Sequence, residues 1–400
     1  MPVASRLKSS GTRRATACNQ SGLVVRVALM KIGVFDHLQK NDRPELSYQD
    51  LYARHLDMVE FIDQAGMDYY FVAEHHFDMG FAECSSPGAW MAAASQRTKR
   101  IRLGPLVYVL PLWHPVRVAE EVAMLDNITR GRFECGIGSG IGKYAFGAFN
   151  ASWDNKNEIM WEAYKIIRGI WANPTYSYEG KFFKVQNAEL NIPLVQKPHP
   201  PLWMPTRSRE SVEAAATEGI STVQWCPPKM DVVREIFDYF REVYQRVKPS
   251  GPPPQVALMR EIYVGETDRQ AYEESKDHWI YFWHRVGGGR AYGGYGNENL
   301  ANITREERKK ELLDVDAAIR ENSFICGSPE TVARQIKEIA TQAGADCFLG
   351  EFTFGALEHD KAMKSLRLFV DQVMPELKKF AIDALNYPNN GYRVWLKPLP

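Results

Sequence analysis

Apolar residues in this chain come in short continuous runs, and between those runs the apolar positions move to a spacing of three and four, the alternation of buried strands with amphipathic helices. The run KIGVF at 31–35 reads as a first strand. Ser47 then stands where an N-cap belongs, with Asp50 at the capping-box position, and Tyr52, Leu56, Val59 and Ile62 mark one helical face that Gly66 closes. Residues 69–73 and 101–110 read as the second and third strands. Pro115 opens a helix with the stripe Val118, Val122 and Leu125, which ends near Gly131, and 132–137 reads as the fourth strand. A helix over 157–171 stops at Asn173-Pro174, and Glu179-Gly180 between aromatic-rich segments marks a decorating hairpin.

After KPHPP, residues 202–204 form a fifth strand and Ser208 caps a helix running to Gly219. Strand six is 220–225, followed by an amphipathic helix over 230–247. Strand seven is 256–264, strand eight 346–352, and a last helix runs through Leu377. Eight buried-type strands alternating with helices is the count of an α/β (β/α)8 TIM barrel. A doubly wound sheet fits less well, because no GxGxxG opens a helix after the first strand; Gly136, Gly138 and Gly140 follow the fourth. One segment interrupts the alternation. From 286 to about 324 the chain carries GGGR, YGGYG and REERKKE, too long for an ordinary connection, and an insertion before the last strand of a barrel lies near its catalytic face. It reads as a lid, or as a plain surface loop with one solvated helical face.

The charge pattern isolates the N-terminus. Arg6, Lys8, Arg13, Arg14 and Arg26 lie in the first 30 residues without one acid, so the rest of the 400-residue chain carries 44 of the 49 basic residues against 49 acids, a net of −5. That balance gives no nucleic-acid footprint, and no apolar run approaches the ~20 residues that cross a bilayer. Residues 1–29 read as a disordered extension, with a transit peptide as the other reading; 30–380 form the barrel domain and 381–400 a tail. Six cysteines without a close pair suit neither a zinc site nor a disulfide framework, so no metal is expected and the cytoplasm is the default compartment.

Candidate chemistry sits at strand ends. Glu74-His75-His76-Phe77 follows the second strand, and since side chains alternate, both histidines cannot face the barrel mouth while the strand continues. As a metal site the pair is weak. Ser208 and Ser211, with Arg207 or Arg209 nearby, begin a helix whose free N–H groups suit a phosphate, or are plain capping serines. His114 precedes Pro115 and either orients its helix or lines a substrate pocket; Glu351 at the end of strand eight faces the pocket or caps a helix. Tyr108, Trp113, Phe146, Phe149 and the aromatic run 279–283 read as an apolar pocket or as core.

Residues 102–140 read RLGPLVYVLPLWHPVRVAEEVAMLDNITRGRFECGIGSG, with AEHHF upstream and GSPETV at 327–332. From 30 to about 380 the chain resembles the flavin-dependent luciferase-like monooxygenases, which share the histidine turn after strand two, LPxxHPxRxAE, LDxxSxGR and a Gly-rich fourth strand. The resemblance implies that His75 is the active-site histidine beside the flavin ring and Glu74 an acid near the isoalloxazine. It matches Leu106 and Val107 to a pair that often forms a non-prolyl cis peptide against the ring, and Ser208 and Ser211 to phosphate-contacting positions. The chain departs from bacterial luciferases at Gly138, where they carry a reactive cysteine, and at Ser139, where they carry an arginine; light emission and the phosphate clamp stay open.

What the resemblance implies is a cytoplasmic homodimer binding FMN as FMNH2, supplied by a separate flavin reductase that uses NAD(P)H. With O2 the reduced flavin would give a flavin hydroperoxide that oxygenates a small, apolar organic substrate. His75 would exchange the proton. The alternatives are a deazaflavin-dependent dehydrogenase on the same barrel, a non-catalytic flavin-binding protein, and a hydrolase using Glu74 and Glu351.

Overall fold

The computed structural model describes residues 16–18, 24–26, 28–40, 43–77, 81–225, 230–247, 254–288 and 314–382. The barrel wall of its central sheet consists of eight strands: β1 (Lys31–Asp36), β2 (Tyr69–Val72), β3 (Arg102–Pro105, continued by Tyr108–Val109), β4 (Cys135–Gly138), β5 (Leu202–Pro205), β6 (Ser221–Trp225), β7 (Val256–Val264) and β8 (Cys347–Glu351); the short strand Ile325–Gly327 also pairs parallel with the end of β7. Every neighbouring pair is parallel. The ladder returns to its start where Cys347 pairs with Lys31, and β3 meets β4 through Leu103 and Phe133 and through Val109 and Gly138. It is the barrel expected from the alternation of elements.

Helices cover the outside. They are α1 (Tyr48–Ala65), α2 (Pro87–Arg97), α3 (Pro115–Ile128), α4 (Lys143–Ala148), α5 (Lys156–Ala172), α6 (Arg209–Glu218), α7 (Met230–Val247), α8 (Asp268–Gly288), α9 (Val315–Arg320), α10 (Pro329–Ala343) and α11 (His359–Leu368). Their boundaries follow local chemistry. The Ser47 hydroxyl accepts the Asp50 amide at the start of α1, and Gly66 ends it in the left-handed conformation at φ 79°. Ser208 and Ser328 cap α6 and α10 in the same way.

Two differences from the sequence reading have physical causes. Helix α2 was not expected, because its alanine-rich stretch lacks contrast between apolar and polar faces; Trp90, Met91 and Ala94 are nevertheless buried. The third strand, read as continuous over 101–110, is interrupted between Pro105 and Tyr108, and the cis peptide that the resemblance matched to Leu106 and Val107 lies in the gap. The hairpin is present as Tyr176–Glu179 paired antiparallel with Lys184–Ala188. Within the N-terminal segment read as an extension, Thr16–Cys18 pairs with Val24–Arg26, and Ala28–Leu29 pairs with Ala381–Ile382. Most of the expected lid, residues 289–313, lies outside the described residues; its flanks are α8 and α9.

Inside the barrel, inward positions of the strands form one apolar column that includes Phe71, Leu106, Trp203, Met259 and Leu349. This packing fills the barrel and leaves chemistry to the rim at the C-terminal ends of the strands. Among the described residues, no helix is long and apolar enough to cross a membrane, and no cluster of His, Cys, Asp or Glu has a metal-binding arrangement. Cys84, Cys135, Cys326 and Cys347 are buried free thiols.

Candidate active site

Strand periodicity fixes what reaches the C-terminal rim. Two positions beyond inward Phe35 comes His37; two beyond Met259 comes Glu261; two beyond Val223 comes Trp225; two beyond Leu349 comes Glu351. His37, Glu261 and Glu351 are no more than 2% exposed. The His37 Nδ1 lies 2.6 Å from Glu351 Oε1, which also accepts from Gln39 Nε2 at 2.9 Å. Glu261 accepts from the Trp225 indole at 3.0 Å. Glu351 Oε2 is buried and has no partner among the described residues.

The turn after β2 sends its two histidines different ways. The His75 ring lies 5.7 Å from that of His37 and 5.7 Å, edge on, from that of Phe81. His76 instead places Nε2 2.9 Å from Glu74 Oε1, and its ring packs on Phe149. Desolvation, followed by the neighbouring His37 and His76 rings, holds His75 down to about 3, so its imidazole is neutral at physiological pH.

Glu74 is 5% exposed and fully engaged. Its carboxylate accepts the Val109 amide at 3.0 Å and the Trp113 indole at 2.9 Å besides its contact with His76. It therefore ties the end of β2 to the segment following the Leu106–Val107 cis peptide. Opposite that peptide β4 carries glycine. A Cβ at Gly136 would sit 2.2 Å from the Pro105 carbonyl oxygen, so there only glycine lets the two backbones approach this closely; one at Gly138 would meet the Val107 side chain, 2.6 Å from Cγ2. Ser139, just beyond, is half-buried.

At the start of α6, Ser208 and Ser211 bond mainly to each other's backbone. Ser208 Oγ accepts the Ser211 amide at 3.2 Å; Ser211 Oγ accepts the Arg207 amide at 3.0 Å and donates to the Ser208 carbonyl at 2.7 Å. Exposed Glu210 turns onto its own amide and the Ser208 hydroxyl, which together hold its carboxyl below the ordinary range. Arg209 lies over the Tyr239 ring at 5.0 Å, toward α7.

The structure thus brings Glu74, His75, Leu106, Val107, Gly138 and Glu351 to one rim, with Ser139, Ser208 and Ser211 on the loops and helix start that follow β4 and β5. His114 is not among them: it is exposed at the start of α3, with its ring 5.9 Å from Phe183 of the hairpin. An aromatic cover lies over the cluster. Phe81 and Phe282 approach the His37 ring at 5.0 and 6.1 Å, and Trp283 stacks on Trp225 at 5.8 Å. Sequence reasoning missed His37, Gln39, Trp225 and Glu261. The available signal was their spacing of two from inward apolar positions. A recess of about 690 Å³ lies elsewhere, along polar side chains of α10 such as Arg334, Lys337 and Glu338, and holds none of these groups.

Comparison with known proteins identifies the family and the fold. The flavin-dependent trigonelline monooxygenase, oxygenase component, of Acinetobacter baylyi is 25% identical over 359 residues, 88% of this chain and 97% of its own. The crystal structure of the monooxygenase RslO1 from Streptomyces bottropensis superposes with a TM-score of 0.74 at 25% identity, covering 86% of this chain and 99% of that one. The oxygenating constituent of 3,6-diketocamphane monooxygenase from Pseudomonas putida, solved with FMN, shares the fold at a TM-score of 0.71 and 20% identity, over 87% and 98% of the two chains. The sequence profile described as luciferase-like monooxygenase matches residues 30–347, and the chain belongs to that family.

Proposed function

We propose that this chain is the oxygenase of a two-component system, taking reduced FMN from a separate NAD(P)H-dependent flavin reductase and using O2 to oxygenate a small, apolar organic molecule. The observation that carries this reading is the β2–β3–β4 rim: apolar Leu106 and Val107, glycines on the adjoining strand β4, and a neutral His75 at the end of β2. That combination fits a flat, apolar, partly polar-edged ring. The start of α6 fits its phosphate, since helix N-termini favour anions and the Glu210 carboxylate already occupies that position.

When bound, the reduced flavin supplies the two electrons that let one atom of O2 enter the substrate while the other leaves as water. The protein's share is positioning, exclusion of water and control of one proton. Glu74 locks the Val109 amide, Trp113 and His76 in one arrangement, so the segment against the ring cannot drift. Phe81, Phe282 and Trp283 keep bulk water from the rim. Neutral His75 holds a hydrogen bond at the reacting face without adding a charge there.

The test pairs the chain with a generic flavin reductase, NADH and a substrate panel, and follows O2 uptake and products. His75→Ala is expected to bind reduced FMN as the parent does yet release hydrogen peroxide in place of product. Unchanged coupling of O2 to product overturns the role of His75. Selective binding of a deazaflavin over FMN, without substrate-dependent O2 uptake, overturns the oxygenase reading.

A further inference from the structure

Strands β7 and β8 run in register with Glu261 directly opposite Glu351, both inward and at most 1% exposed. Neighbouring strands lie ~4.8 Å apart, so the two carboxyl groups stand side by side at one height in the barrel. Glu351 Oε1 is taken by His37 and Gln39, Glu261 Oε1 by Trp225, and Glu351 Oε2 by no donor among the described residues. Trp283, which stacks on Trp225, likewise carries a buried indole N–H without a partner among them.

The surrounding cationic groups do not outweigh burial: Arg260 draws the Glu261 carboxyl down and His37 that of Glu351, yet both stay raised. Asp36, at the end of β1, is held by His55, Tyr70 and the Leu38 amide. Arg260 points to the outside of the barrel, donating to the Met259 carbonyl and reaching Met230 of α7. His75 stands behind His37, and His76 is committed to Glu74. From above, the cluster meets Phe81, Phe282 and Trp283, which bring no charge. Two adjacent carboxylates in so dry an enclosure cannot both ionise, and an acceptor buried without a donor is costly. One proton on Glu261 relieves both conditions, removing a charge and providing an O–H toward Glu351 Oε2.

We infer that Glu261 and Glu351 hold one proton between them at neutral pH and that this pair, positioned by His37, is the proton store of the site. Desolvation and the neighbouring Glu351 push Glu261 up to about 7, and burial raises Glu351 as well. The role rests on the oxygenase reading. There an anionic reduced flavin, O2, an acceptor molecule and one proton give oxidised flavin, the oxygenated product and water. The proton passes from the Glu261 carboxyl to the oxygen that leaves as water; the His37 Nδ1–H, which donates to Glu351 Oε1, holds the remaining carboxylate in place, and the pair alone gains a negative charge. Solvent returns the proton after product leaves.

The pair is tested first on the full chain without flavin, labelled with carbon-13 at the glutamate carboxyls. One carboxyl resonance is expected to titrate near neutrality, to vanish in Glu261→Gln, and to move to lower pH in Glu351→Gln. The absence of any carboxyl titrating above about pH 6, or a titration unchanged by Glu261→Gln, overturns the shared proton. Stability gives a second readout. A carboxyl raised to about 7 makes the folded state bind more protons than the unfolded state between the ordinary carboxylate range and about 7, so stability falls as pH rises through that window. Asp346, raised to about 6 by burial, adds a slope of the same sign below that pH, so the share of Glu261 is read between about 6 and 7, where Glu261→Gln is expected to reduce the fall in stability; a fall in that range equal to the parent's overturns the pair. In the flavin-loaded enzyme, Glu261→Gln should keep flavin binding and lower the rate of product formation on the order of a hundredfold. His37→Gln should lower it too while leaving the carboxyl titration near neutrality. Parent-like rates in both variants overturn the store. A chain that shows the titration but binds no flavin overturns the oxygenase reading and leaves the shared proton standing.

Discussion

Two buried glutamates mark the opposite ends of this barrel, and their surroundings differ in kind. Glu134, just before β4, meets the Arg102 guanidinium with one oxygen and the Trp203 indole with the other at 2.6 Å. Arg102 also reaches Gln196 and the Gly131 carbonyl, so this end forms a closed polar network. Glu351, at the end of β8, faces no arginine; it has His37 and Gln39 on one oxygen and nothing among the described residues on the other. A fold satisfies a carboxylate whose task is to hold strands together. It leaves one open where a proton or a ligand is to arrive.

The sharpest way to break this comparison is to remove each acid. Glu134→Ala leaves a buried indole N–H and a partly buried guanidinium without their acceptor, and should cost about 3 kcal/mol, the low end for a broken buried pair because Arg102 keeps some solvent. Glu351→Gln keeps the shape and an acceptor for His37, and should stay within about 1 kcal/mol. Chemical denaturation of both variants decides it. Equal losses would mean that the two carboxylates do the same structural job.

The glycines of β4 carry the same contrast along one strand. At Gly136 a methyl group meets the backbone oxygen of Pro105, which cannot move without parting β3 from β4; Gly136→Ala should cost about 2 kcal/mol. At Gly138 the methyl meets only Val107 Cγ2, a side-chain atom that can rotate away. Gly138→Ala should therefore remain stable and show its effect in flavin affinity, read by fluorescence quenching. If both variants lose only stability, the rim end of β4 is packing and not a cofactor floor.

How much of this was readable in advance follows from the range of each interaction. Short-range chemistry was legible: the caps Ser47 and Ser208, the glycine stop at Gly66, the strand alternation and the divergence of His75 from His76 each depend on a few neighbouring residues. The interruption of β3 was not legible in the periodicity, because LGPLVYVL carries no charged residue and no change of period marks Leu106; only the resemblance matched a cis peptide to Leu106 and Val107, and it is found there. Nor was the Glu261–Glu351 pair. Alternation alone turns each acid inward, but their opposition depends on the register of strands separated by α8, α9 and α10, which no local pattern encodes. His114 shows the converse, a chemically suggestive residue whose neighbour, Phe183, comes from a distant hairpin.

The smallest expected effect concerns the carboxylate that no barrel strand holds. Glu210 at the first turn of α6 folds onto its own amide and the Ser208 hydroxyl, so in the ligand-free chain it satisfies the positive helix end that a phosphate would otherwise fill. Unlike Glu134 it is exposed and held by local bonds alone, and a dianion can displace it. Glu210→Gln removes the competing charge and should tighten FMN about two- to threefold, with riboflavin, which lacks the phosphate, unaffected. The gain should shrink as salt is added, since exposed charges are screened. Equal tightening of FMN and riboflavin would move the phosphate away from α6 and leave Ser208 and Ser211 as capping residues only.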